Sequence, residues 1–136
     1  MPVGKGGIQE YHDPSPDRET YTAGGTISGG DLVVFSANRT VIRSTAQSRK
    51  VAGVALYDAL ANEKVAVAKC GVWPLKAAGA IAAGDQLVGA LAGAVAALAD
   101  AAGATAADIN AARSRIGNAQ EAIADGATGR VELRIG

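Results

Sequence analysis

Two stretches lying far apart in this chain carry one pattern. Residues 23–33 read AGGTISGGDLV and residues 77–88 read AAGAIAAGDQLV. Each has a glycine, an isoleucine two residues later, then Gly-Asp, then apolar residues. Each is followed by a strand–turn–strand pattern. In residues 51–71 (VAGVALYDALANEKVAVAKCG), Val51, Val54 and Leu56 lead to a polar break over 58–63. A short apolar stretch between Lys64 and Lys69 comes next, ending at Gly71. In residues 116–136 (IGNAQEAIADGATGRVELRIG), Arg130, Glu132 and Arg134 alternate with Val131, Leu133 and Ile135, the period of a strand wetted on one face. A chain written twice in this way is confined to an all-β fold. The expectation is a compact β-barrel or sandwich made of two pseudo-repeats, 21–76 and 77–136, within one domain spanning 21–136. Two copies are too few for a solenoid, which needs at least three.

The copies differ in length. Asp31 and Gly53 are 22 residues apart, whereas Asp85 and Gly117 are 32 apart. The excess falls in an alanine-rich insertion. Half of the residues over 77–112 are alanine, but Gly79, Gly84, Gly89, Gly93 and Gly103 interrupt any long helix. Short strands are therefore expected at 86–89 and 94–98. One surface helix is expected at 105–112, where Thr105 and Asp108 stand at capping-box spacing with Asp in place of Glu. In the first copy, strands are expected at 32–35 and 40–43. Trp73, the largest apolar side chain, reads as a core or subunit-interface anchor on a strand over 72–75. Pro74 confines that strand to an edge or ends it there.

Residues 1–20 stand apart. Pro2, Pro14 and Pro16, with Gly4, Gly6 and Gly7, deny this stretch a helix or a central strand. Its apolar residues Ile8 and Tyr11, with Tyr21 just beyond, suit an extended arm that orders on a neighbouring subunit. Such an arm reaches on the order of 60 Å when fully extended.

Composition removes several functions. Lysine plus arginine number 13 and aspartate plus glutamate number 13, which argues against a general nucleic-acid binder. Cys70 is the sole cysteine and reads as a small buried apolar residue. With His12 the only histidine, no metal-ligating set or Ser/His/Asp constellation can be assembled, and no cofactor motif is present. The start, MPVGKGGIQEY, has no apolar h-region, and no uncharged run is long and apolar enough to span a bilayer. The expectation is a soluble protein made in a cytoplasm, without a membrane partner. The repeated carboxylates Asp31 and Asp85 follow Gly30 and Gly84. They read as turn-holding residues that bond nearby backbone N–H groups, the glycines supplying positive φ. Aromatic residues are only 4% of the chain, so the core is thin in large side chains and part of the stability is expected from partner subunits.

The ordered succession AGGTISGGDLV, VAGVALYDA, KVAVAKCGVWPL, AAGAIAAGDQLV, IGNAQEAIADG and GRVELRIG resembles the small capsid cement or decoration proteins of tailed bacteriophages. The resemblance covers about residues 23–136. It implies a β-tulip or β-clip-like fold and a non-enzymatic role on the outer surface of an icosahedral head. There, homotrimers would clamp neighbouring major capsid protein subunits. It also implies that the N-terminal segment grips the capsid, with Pro2, Ile8, Tyr11, Tyr21 and Trp73 as interface residues. Two alternatives remain beside it: a β-clip module binding a small ligand near Asp31 or Asp85, and a virion fibre or host-adhesion protein.

Overall fold

The computed structural model describes residues 18–99, 103 and 105–134. The first half contributes β1 (Arg18–Ala23), β2 (Leu32–Ala37), β3 (Thr40–Arg43), β4 (Val51–Ala55) and β5 (Lys64–Ala68). The second contributes β6 (Cys70–Lys76), β7 (Gln86–Gly89), β8 (Val95–Ala97), helix α1 (Ala106–Arg113), β9 (Gly117–Ala119) and β10 (Thr128–Arg134).

The first five strands close into a barrel in the order β1-β3-β2-β4-β5, with β5 pairing back onto β1. Only the β1–β3 seam is parallel, through Thr22 with Thr40 and Ala23 with Val41. The second five repeat this plan strand for strand, in the order β6-β10-β9-β7-β8. Their ring is left almost open, because the β6–β8 seam is a single parallel bridge, Ala77 with Val95. Registers correspond pair by pair. Val33 faces Gly53 and Leu87 faces Gly117. Val54 faces Ala68, and Asn118 faces Glu132. Ser44 N–H donates to the Leu32 carbonyl at 2.8 Å, and Leu98 N–H to the Gln86 carbonyl at 2.7 Å. The duplication seen as letters is thus a duplication of hydrogen bonds. The longer second copy is accommodated between β8 and β9, where α1 sits.

Gly53 and Gly117 explain one of the repeated glycines. A Cβ on Gly53 would collide with the carbonyl oxygen of Ala68, and one on Gly117 with that of Glu132. At both places two strands approach too closely for any side chain.

Side chains sort into two cores. Tyr21, Ala23, Ile27, Val33, Val41, Ala52, Val65 and Val67 fill the first barrel. The second core contains their counterparts Leu75, Ala77, Ile81, Leu87, Val95, Ile116 and Val131. It also takes Leu32, Val34, Val51 and Val54 from the outer face of the first barrel. That is why β4, VAGVA, has no polar residue and is buried at every position: one face looks into its own barrel and the other into the neighbouring unit. Each fully buried Val or Leu contributes roughly 1.5–3 kcal/mol by removal from water, so this shared face binds the units firmly.

Some expectations change and others hold. Residues 18–20 belong to β1 instead of a free arm, because they pair with residues 66–68 of β5. Residues 1–17 lie outside the described residues. Strand pairing gathers β6 with β7–β10, so the second unit begins one strand earlier than the expected division after Lys76. Cys70 is half-buried, at the start of β6, where its carbonyl accepts the Trp73 indole N–H at 2.8 Å. Pro74 lies within β6, at the open edge of the second sheet, where no second ladder needs its missing donor. Helix α1 forms with both capping-box bonds, Asp108 N–H to Thr105 Oγ1 at 3.2 Å and Thr105 N–H to Asp108 Oδ2 at 3.4 Å.

Candidate functional site

The twin Gly-Asp turns are built alike. Gly30 and Gly84 have φ of +93° and +86°, values that a β-carbon disfavours. The following carboxylate folds back to accept a backbone N–H three residues earlier, from Ser28 to Asp31 at 2.9 Å and from Ala82 to Asp85 at 2.9 Å. The Gly30 and Gly84 N–H groups in turn donate to Ala55 and Ala119 carbonyls, each at 2.8 Å. These bonds tie each turn to the end of the first strand, β4 or β9, of the hairpin that follows it.

Here the likeness stops. Asp31 also meets Arg43, with Nε 3.2 Å from Oδ2. The same guanidinium donates to the Ala92 carbonyl at 3.3 Å, in a one-turn 3-10 segment of the second unit (Leu91–Gly93). Gly93 lies flat on the carboxylate: a Cβ there would stand 2.7 Å from Asp31 Cγ. Asp31 therefore holds a turn, an ion pair and an inter-unit contact together. Asp85, whose counterpart of Arg43 is Ala97, holds only its turn.

Beside Asp31 runs a cleft of about 650 Å³ between the units, lined by Arg43, Leu56, Trp73, Lys76 and Thr128 among others. Asp85 does not line it, so the two aspartates form no paired-acid site there. Asp31 is already bonded on both sides, to the Ser28 N–H and to Arg43. Among the described residues there is no group of three His, Cys, Asp or Glu side chains that could hold a metal ion. No helix among them is long and apolar enough to cross a membrane.

The expected interface residues separate. Pro2, Ile8 and Tyr11 lie outside the described residues. Tyr21 is a correction: it is 5% exposed in the first core, with its ring edge-on to Phe35 at 5.1 Å, so it is closed to a partner surface. Its burial follows from its place in β1, opposite Val65. Trp73 is half-buried against the second core, with one side open to the cleft. Exposed apolar side chains that sequence reasoning did not single out are Tyr57, Leu60, Leu91 and Ile109. They stand in turns and on α1, where periodicity gives no signal.

A duplicated β body is what the family comparison meets. The model of the phage cement protein family matches residues 14–135. This chain belongs to the phage cement protein family. Membership makes it a structural protein of the phage virion, associated with the capsid. Among solved structures, the fold is similar to the crystal structure of the head fibre gp8.5 N base in bacteriophage phi29. The TM-score is 0.61 at 18% identity, over 86% of this chain and 92% of that one. No curated protein matches the chain.

Proposed function

We propose that this cement protein binds the outer surface of an icosahedral phage head and stabilises contacts between major capsid protein subunits, as a homotrimer and without enzymatic activity. The observation that carries this reading is the family match over nearly the whole chain. The architecture supports it physically. A closed barrel and a second, nearly open five-stranded unit locked through a shared core make a stiff body, and a clamp across subunits has to resist deformation. Residues 1–17, ahead of β1, are the arm in this reading, with Pro2, Ile8 and Tyr11 as its contacts; Trp73 contributes from the body. Attachment then rests on many modest contacts and requires no cofactor.

Co-sedimentation with expanded empty capsids tests the proposal, using the full chain and a form lacking residues 1–17. The deletion stops there because Arg18 begins β1. Binding by the full chain and weaker binding by the shortened one is expected. No binding by either overturns the capsid role, and equal binding overturns the arm alone.

The likeness to a head-fibre base favours a second reading, in which this body is the capsid-proximal base of a projecting fibre. Electron microscopy of decorated heads separates the two: compact knobs match cement, and filaments match a fibre base.

A further inference from the structure

The chain is neutral in sum, yet four arginines converge on one groove. Arg49, Arg113, Arg115 and Arg134 line a concavity of about 600 Å³ whose apolar floor includes Val51 and Ile116. The walls come from both units. Arg49 stands in the β3–β4 loop, which is held down by the bond from Phe35 N–H to the Lys50 carbonyl at 3.0 Å. Arg113 ends α1, where a cation is favoured by the helix dipole. Arg115 and Arg134 are fixed to one another through Ile116. Ile116 N–H donates to the Leu87 carbonyl at 2.9 Å, and Arg134 N–H donates to the Ile116 carbonyl at 2.8 Å. Ile116 itself is buried in the second core. The main chain from which Arg115 and Arg134 project is therefore packed in place, while their charged ends stay exposed.

Their charge is largely unanswered. Glu132 pairs with Arg134 at 3.1 Å, but among the described residues no acidic side chain forms a salt bridge with Arg49, Arg113 or Arg115. Lys50 adds a fifth cation next to Arg49. Gathering like charges opposes folding, so a neutral protein that concentrates them on one face sets up a local field suited to an anionic partner. Guanidinium forks match planar carboxylates in pairs. Duplex nucleic acid fits less well: it would meet as many acids as bases elsewhere on this chain, and the groove has no aromatic side chain on which a base could stack.

We propose that the arginine groove is a docking face for a carboxylate-rich protein surface. Building on the capsid reading above, we assign that surface to acidic side chains of the shell subunits. The groove then sets the orientation of the body, and its contribution falls as salt rises.

The test compares full-length wild type with an R49Q/R113Q/R115Q variant and with an R39Q/K64Q/R130Q variant, which removes equal charge elsewhere. Thermal melting first establishes that all three are folded. Binding to expanded empty capsids, to poly-glutamate and to double-stranded DNA is then measured at low and high salt. The expected result is capsid binding about tenfold weaker or more for the groove variant, with a flatter salt dependence and no such change in the control variant. Wild-type affinity and salt dependence in the groove variant overturn the proposal. So does groove-dependent binding that is tighter to DNA than to capsids or poly-glutamate. If wild type ignores capsids, the capsid reading fails separately. Poly-glutamate then decides the groove: binding lost in the groove variant supports it, and absence of binding in wild type overturns it.

Discussion

Gly129 lies directly beneath Ile123: a β-carbon on the glycine would stand 2.5 Å from Ile123 Cγ1 and 2.8 Å from Cδ1. At the corresponding places in the first barrel stand Val65 and Ala59, both buried. One unit fills this part of its core with a large residue on the fifth strand and a small one in the turn. The other reverses the sizes. Ala59 bridges Ile27 as Ile123 bridges Ile81, so the backbone frame is common to both and only the volume has changed sides.

That exchange predicts non-additive stabilities. Gly129→Val overpacks the site and is expected to destabilise by about 1–3 kcal/mol or more. Ile123→Ala alone leaves a cavity and costs about 2–5 kcal/mol. The double change Ile123→Ala with Gly129→Val recreates the arrangement of the first barrel. Urea unfolding should find it more stable than the sum of the separate costs by more than about 1 kcal/mol. Additive costs would show that the two positions do not share one packing site.

Asp31 and Asp85 close matching turns but carry unequal loads. Asp31→Asn loses the Arg43 ion pair as well as the charged turn acceptor, whereas Asp85→Asn loses only the latter. Arg43 is 43% exposed and Asp31 13%, so solvent screens the pair and its worth is modest. Asp31→Asn should therefore be the more destabilising by about 0.5–1 kcal/mol. In the Arg43→Gln background that gap should close. A gap of the same size there would assign the difference to the contact with Gly93 instead of the ion pair.

Local rules made much of this fold legible. The hairpins, the Gly-Asp turns and α1 are governed by alternation, punctuation and capping, which act within a few residues. β1 escaped because its reasons are distant. In RETYTA only Tyr21 and Ala23 are buried, and the strand exists because β5 and β3 flank it. Extending the repeat two residues upstream would have shown it, since Tyr21 and Ala23 stand where Leu75 and Ala77 do. The shared core had one sequence signal, the wholly apolar VAGVA of β4, which asks for burial on both faces. The Asp31–Arg43–Ala92 junction had none. It depends on two units meeting and on a turn in which Ala92 takes a φ of +59°. The arginine groove likewise joins residues far apart in sequence, which only the fold brings together.

The barrel seam between β1 and β5 carries a pH signature. Lys69 Nζ lies 3.2 Å from Glu19 Oε1, and this bonded ammonium lowers the Glu19 carboxyl below its ordinary value. A depressed folded-state pKa contributes stability above the unfolded carboxylate value, about 4.3, and loses it as pH falls through the folded value. Glu19 is exposed, so the effect is small in size. The melting temperature of wild type should exceed that of Glu19→Gln at neutral pH, and the difference should vanish on acidification. A difference that persists at low pH would point to packing of the Glu19 stem instead of its charge.

Thr105 offers a test of how loosely α1 is coupled to the body. No α1 residue is buried, so the helix relies on its own ends rather than on a packed face. Its N-terminus is held by the reciprocal Thr105–Asp108 bonds. Thr105→Ala should cost the helix about 1 kcal/mol. Because little core depends on α1, that loss should appear as faster amide exchange confined to residues 106–113. The global urea midpoint should hardly move. A matching fall in global stability would mean that α1 braces the Arg113–Ile116 turn and, through Ile116, the second core, which would make the insertion a structural strut rather than an appended surface element.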